Sequence, residues 1–296
     1  MPMTISAYAT ALFSSWYFID EYSLLFDAGD GLSAGLMQKA GKVKHVFLSH
    51  ADRDHITGLL QFLQLNAREG FPKIYYPSGS GSFPALAAFT AQFDPHVAPV
   101  SWTPVAPGDE VFIGKDLVVT MRSNNHIRGA NGAVKSLSFI VQQVKHKLRA
   151  AYAGMEGKEI AALRQEKGDE AIMQEIRENV LAYSGDSPVE HDGRWHDVDT
   201  LIHEATFLVP ADNDDRAERY NKHSALPDVI AMAAKTNIKR LVLGHFSLRY
   251  THEEIIAAVQ EQCRAHHLAF PVYCILPGII SRDVLGQPPV YTPVGR

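Results

Sequence analysis

Cysteine is scarce in this chain, with two among 296 residues. That excludes a disulfide framework of the secreted kind, and Cys263 and Cys274 each fall on an apolar face, as core thiols of a reducing compartment do. No uninterrupted apolar run approaches the about 20 residues of a membrane span, so no membrane partner is expected. The opening MPMTISAYATALFSSW lacks a basic region, which argues against a signal peptide and for the cytoplasm. An excess of positive charge is missing too: the formal net charge is −5, so the molecule as a whole is no polycation seeking nucleic acid. One local absence runs the other way. No Asp or Glu lies between Leu117 and Met155, a stretch that holds Arg122, Arg128, Lys135, Lys145, Lys147 and Arg149. A solvated strand face explains most such runs, yet this is the best candidate in the chain for a polyanion-binding side.

Metal-capable residues are what the chain does have. Val46, Phe47 and Leu48 form a β-branched and aromatic run, while Ile56, Leu59, Leu60 and Leu63 recur at helical spacing, so a strand runs into a helix. At that joint sit His50, Asp52, Asp54 and His55. Residues two apart on an extended strand end face one way, which lets His50, Asp52 and Asp54 converge. Bare carboxylates held together repel, and two divalent cations would resolve the conflict. The competing account is a polar helix cap, with Asp54 near the N-terminus and the histidines merely satisfied or exposed.

The remainder reads as alternating strands and helices. Trp16 to Ile19 and Ser23 to Phe26 are strand-like, Gly35 to Ala40 a short helix, and FDAGDG at 26–31 a tight turn of the usual Asp/Gly kind. Lys73 to Tyr76 closes a βαβ unit. Residues 77–110 read as loops and one helix around Leu86 to Phe93. Val111 to Met121 suggests a hairpin whose second strand ends near His126, and Leu137 to Val144 is a further strand. Gly154 to Asn179 reads as helical and partly exposed. Three later strands each deliver an acid or imidazole at their ends: Val180 to Tyr183 before Asp186, Thr200 to Ile202 before His203 and Glu204, and Leu241 to Leu243 before His245. That is the pattern of an α/β sheet whose chemistry lies outside its strand ends. Thr251 with Glu254 predicts a capping box ahead of Ile255, Ile256, Val259 and Cys263. Val272 to Leu276 is the last strand, and 287–296 a Pro-rich tail. The recurrence of strand, helix and strand with ligands at the ends suggests two similar halves.

At this point the chain resembles the metallo-β-lactamase superfamily, whose HxHxDH signature corresponds to His50-Ala51-Asp52-Arg53-Asp54-His55. SGDS at Ser184 to Ser187, HEATF at His203 to Phe207, NKHSA at Asn221 to Ala225 and GHFSLRY at Gly244 to Tyr250 resemble its ribonuclease Z branch, which cuts 3′ trailers from precursor tRNA. The resemblance implies one α/β domain over 1–296 with a four-layer αββα sandwich. It implies that His50, Asp52 and His126 hold one metal, that Asp54, His55 and His245 hold a second, and that Asp186 bridges them. His223 would then donate a proton to the leaving group, with Glu204 orienting it and Asp54 serving both metal and reaction. Two divalent ions can activate water against phosphorus, and an imidazole held by a carboxylate suits the proton transfer.

Two departures from the pattern carry expectations. Asp52 stands where the signature has histidine, so three carboxylates rather than two face the cations, and preference should tilt from zinc towards manganese or iron. In addition, 150–180 lacks the Gly-Pro element of a tRNA-gripping arm, and Tyr152 to Lys167 contains no proline, which suggests a packed or altered arm. Three readings follow: a homodimeric phosphodiesterase acting on RNA, a hydrolase of the same fold for a small phosphodiester or ester, and a non-catalytic relative that binds RNA or a partner.

Overall fold

The computed structural model describes residues 3–93, 98–209 and 222–293. Asn221 of the NKHSA segment and the last three residues of the Pro-rich tail lie outside them. Two β-sheets form the centre. The first contains β1 (Ile5–Thr10), β2 (Ser14–Ile19), β3 (Leu24–Phe26), β4 (His45–Phe47), β5 (Lys73–Pro77) and β6 (Ser101–Val105) in that order. The second runs β13 (Val272–Cys274), β12 (Arg240–Gly244), β11 (Thr200–Glu204), β10 (Met173–Tyr183), β9 (Leu137–Leu148), β8 (Leu117–Ser123) and β7 (Glu110–Ile113).

Each sheet begins antiparallel and turns parallel halfway: at β3 in the first, where β4 to β6 follow, and at β10 in the second, where β11 to β13 follow. The two halves suggested by the recurrence of strands are thus present as two sheets of matching plan.

Alternation along the strands decides what lies between them. Tyr17 and Ile19 of β2, Phe26, Phe47, Val119, Phe139, Val141, Leu181, Ile202 and Val242 share one buried cluster between the sheets. Trp16, Phe18, Leu25 and Val46 point the other way, against α1 (Leu32–Leu36), α3 (Leu59–Asn66) and Phe83 of α4 (Ser82–Thr90). On the far face Leu201, Leu241 and Leu243 meet α7 (Leu226–Ala233) and α8 (His252–Ala265). The result is the expected αββα layering. Burying each of these large side chains contributes roughly 1.5–3 kcal/mol before conformational entropy is set against it. The capping box of α8 is made as read, Thr251 Oγ1 accepting from the Glu254 N–H and Glu254 from the Thr251 N–H.

Four local readings are corrected. Residues 173–179 are strand rather than helix, because Ile176 and its neighbours pair in register with Leu148 to Gln142 of β9 and that ladder overrides local propensity. The helices there are α5 (Gly157–Lys167), which buries no residue, and α6 (Asp169–Ile172), which buries Ile172. In 77–110, Ser101–Val105 is a parallel edge strand despite Pro104, which an edge tolerates, and α4 starts four residues before Leu86. The first helix begins at Leu32, with a tighter 3₁₀ turn over Met37–Lys42.

His45 opens β4 in a nearly dry setting, 8% exposed, its ring parallel to Tyr75 and edge-on to Phe71. Burial, aided by Lys73 and Lys44, pushes its imidazole down to about 4. The unfolded chain, with an ordinary histidine, therefore binds more protons between the two values, and the fold loses stability as pH falls through that window. We expect His45→Gln to remove about 2–3 kcal/mol of the loss seen between pH 7 and 4.5, checked by urea unfolding of both proteins at the two pH values. Parallel losses would contradict it.

Candidate metal centre

Seven side chains read from the sequence come together at one end of the sandwich. β4 ends at Phe47, and the next residues carry His50 and Asp52 into α2 (Arg53–Ile56), which brings Asp54 and His55. His126 follows β8, Asp186 follows β10 and His245 follows β12. His50, Asp52 and His126 form one group whose ligand atoms lie within 4.8 Å of one another, and Asp54, His55, Asp186 and His245 form a second. Asp186 Oδ2 stands between them, 3.7 Å from His50 Nε2, 3.2 Å from His55 Nε2 and 3.3 Å from His245 Nε2. Asp52 sits at the N-cap of α2 but makes no capping bond, so the helix-cap account does not explain it. Its Oδ2 lies 3.6 Å from both His50 Nε2 and His126 Nε2.

The other nitrogen of each imidazole fixes what these atoms can do. His55 Nδ1 meets Asp27 Oδ2 at 2.8 Å, and His126 Nδ1 meets the Lys222 carbonyl at 2.8 Å. Both partners only accept, so both Nδ1 atoms carry the proton. His50 Nδ1 meets Ser49 Oγ, and His245 Nδ1 meets Thr206 Oγ1. Those hydroxyls spend their own protons on Asp27 and Glu204, so they also accept. All four rings therefore turn a bare Nε2 lone pair inward. All four Nε2 atoms are buried, and none makes a hydrogen bond among the described residues. Buried lone pairs left this way are costly unless a cation takes them, and backing by carboxylate, carbonyl or hydroxyl at Nδ1 is what metal-ligating histidines have. The residues therefore fit divalent metal ions.

Electrostatics agree. Burial disfavours a charged imidazole at His55 and His126, yet Asp186 and Asp27 around the first, and Asp52 around the second, outweigh it and raise both.

His223 lies just ahead of α7, its Nδ1 2.9 Å from Glu204 Oε1. Burial opposes its charged form, but the Glu204 carboxylate prevails and pushes the imidazole up to about 9. Glu204 itself is buried and accepts from the Ser187 and Ser224 backbone N–H groups as well as from Thr206. It thus reaches His223 directly and His245 through Thr206, a second tie that sequence reading missed.

The larger omission is Asp27. By composition the acidic turn is an ordinary one, whereas Asp27 is fully buried and accepts from the Ser49 N–H, Ser49 Oγ, His55 Nδ1 and Tyr183 Oη. It orients His55 directly and His50 through Ser49. Gly29 of the same turn has no room for a side chain, since a Cβ would collide with the Asp54 carbonyl. The FDAGDG spelling was the available signal, indistinguishable by composition from any tight turn. Asp27→Asn, which keeps the shape but donates where His55 must donate, should weaken metal binding about 10–100-fold. Chelator competition would measure this, and unchanged affinity would remove Asp27 from the site.

A cavity of about 470 Å³ opens over the cluster, lined among others by Leu12, Asp52, Asp54, Ile127, Phe207, Lys222, His223 and Arg249. The Arg249 guanidinium lies 5.3 Å from the centre of the Phe207 ring, with its Nε–H donating to Ser247 Oγ.

Comparison with known proteins matches this geometry. The chain is 28% identical over 249 residues to the chloroplastic tRNase Z TRZ2 of Arabidopsis thaliana, covering 81% of this chain and 66% of that one. It is 27% identical over 292 residues to ribonuclease Z of Methanocaldococcus jannaschii, covering 88% and 86%. The fold is shared with YhfI, a metallo-β-lactamase fold protein of Bacillus subtilis, at a TM-score of 0.63 and 17% identity over 95% of this chain and all of that one. The short form of human tRNase Z gives a TM-score of 0.55 at 21% identity over 84% and 94%. Residues 22–169 match the family model of the beta-lactamase superfamily domain. With half of its length matched to that family model and its metal-capable side chains gathered at the sandwich edge, this chain belongs to the beta-lactamase superfamily.

Proposed function

We propose that the protein is a metal-dependent phosphodiesterase of the ribonuclease Z type, holding two divalent ions and hydrolysing an RNA phosphodiester such as a tRNA 3′ trailer. The observation that carries it is the Glu204–His223 pair beside four convergent Nε2 atoms. A cation site alone would need no acid, and this one has an acid aimed into the same cavity. His50, Asp52 and His126 would hold one ion, Asp54, His55 and His245 the other, with Asp186 between them. Ions bound there would polarise the phosphoryl group and neutralise charge as it grows on the entering and leaving oxygens.

The chain's own residues supply the rest. Glu204 keeps the His223 proton on Nδ1 and stabilises the imidazolium, so that the second proton, on Nε2, is the one given to the departing oxygen. Lys222 and Arg249 add positive charge beside the substrate phosphate. Asp52 in place of histidine brings a third carboxylate, which tilts the preference from zinc towards manganese or iron. A homodimer in the cytoplasm completes the proposal, and the two unpaired cysteines suit a reducing compartment.

A second reading, a small phosphodiester or ester as substrate, is favoured by one observation. β9 and β10 run on beyond their neighbours as a two-stranded hairpin, and its tip at 150–172 holds Glu156, Glu159, Glu166, Asp169 and Glu170 against Lys158, Arg164 and Lys167. An acidic tip does not attract a polyanion. The test is to strip the protein with chelator, reload it with zinc, manganese or iron, and assay bis-p-nitrophenyl phosphate and trailer-bearing tRNA. Cleavage of both is expected. Cleavage of the small ester alone would select the second reading, and no turnover with any metal would favour a non-catalytic binding protein.

A further inference from the structure

We propose that Leu12, at the tip of the β1–β2 turn, is a specificity-determining residue that packs against the nucleoside attached to the reacting phosphate. The proposal rests on the phosphodiesterase reading and narrows its substrate to nucleotide esters.

On grounds of stability Leu12 is a poor residue for its position. It is 83% exposed, so its side chain gains nothing from burial. Its φ is +69°, a left-handed conformation that a leucine pays to adopt and that glycine or asparagine enters readily. Strain of this kind persists where the surroundings hold it in place and clusters at ligand sites. Here the holding group is part of the metal centre, because the Leu12 N–H donates to Asp54 Oδ2 at 3.2 Å. The neighbouring Ala11 N–H is tied to the Phe246 carbonyl, one residue beyond His245. The turn is thus fixed to the carboxylate of Asp54 and to the backbone next to His245, and Phe13, 57% exposed, follows in it.

The surroundings indicate what Leu12 would meet. It lines the same cavity as Ile127, Phe207, Lys222 and Arg249, so apolar and cationic side chains share one space above the ligand cluster. At about 470 Å³ that space is within the range of small-molecule sites and larger than a bare phosphate needs. A nucleotide presents the matching combination, a flat apolar face next to an anion. A dimethyl-type phosphodiester would leave Leu12 in water and its strain unrewarded.

The test compares thymidine 5′-p-nitrophenyl phosphate with methyl p-nitrophenyl phosphate, which share the leaving group and the reacting phosphorus. The metal-loaded wild type should favour the thymidine ester. Leu12→Asn, which suits the same φ, should be at least as thermally stable as wild type and should lower the ratio of kcat/KM between the two esters about tenfold, chiefly through KM. Leu12→Gly should do the same and serves if the asparagine variant misfolds. A ratio unchanged in stable variants overturns the proposal, as does a wild type that hydrolyses both esters equally. Hydrolysis of neither ester with any metal would instead bring down the phosphodiesterase reading, and this inference with it.

Discussion

Asp186→Ala is expected to lower kcat on bis-p-nitrophenyl phosphate by on the order of a thousandfold or more, with loss of bound metal. The reason is position. Asp186 Oδ2 is 3.2–3.7 Å from three inward-facing imidazoles and 3.9 Å from His223 Nδ1. Burial raises the cost of its charge, yet His245, His55 and His50 hold it well below the usual carboxylate range. Among the described residues no other carboxylate stands within reach of both candidate ligand groups, since Asp52 lies by the first and Asp54 by the second. Turnover can be followed by p-nitrophenolate release and metal content by atomic absorption on the same preparation. Activity within tenfold of wild type, with metal retained, would show that Asp186 bridges nothing.

His223→Ala should behave differently. His223 belongs to neither of the two principal ligand groups, so metal content should stay near that of wild type. The chemistry should slow about 10²–10⁴-fold on substrates whose leaving oxygen needs a proton, such as the ribose oxygen of RNA. With p-nitrophenolate, which departs without one, the loss should be only a few-fold. Glu204→Gln should reproduce the pattern in weaker form, because the amide cannot stabilise the imidazolium. Equal losses on good and poor leaving groups would falsify the proton-donor role.

Most of the layering was legible because sandwich strands announce themselves as short apolar runs that end in polar loops. The ligands were legible because His50 to His55 crowd into six positions, whereas His126, Asp186 and His245 became convincing only as successive strand ends. What failed to show had a common cause. Met173 to Asn179 looks helical by itself and becomes strand through its partner β9, a non-local pairing that no local pattern encodes. Asp27 and Thr206 look like turn and loop residues because their importance lies in the groups they meet far along the chain, His55 Nδ1 and the Tyr183 hydroxyl for Asp27 and His245 Nδ1 for Thr206. Asp52 stands at the start of α2 without capping it, and its carboxylate is directed at two imidazoles, which no local pattern shows.

The proposed ligands come from both sheets: His50, Asp52, Asp54 and His55 from the loop and helix α2 that follow β4 of the first, His126, Asp186 and His245 from segments that follow strands of the second. Any ion that draws them together therefore acts as a rivet through the sandwich. Occupancy becomes cohesion, since a ligand that binds only the assembled state stabilises it in proportion to the logarithm of its concentration over Kd. Starving the protein of metal would then do more than silence it: the halves would be left with their greasy interface and the few hydrogen bonds across it, such as Tyr183 Oη to Asp27, and turnover of the chain itself would follow the supply of the ion.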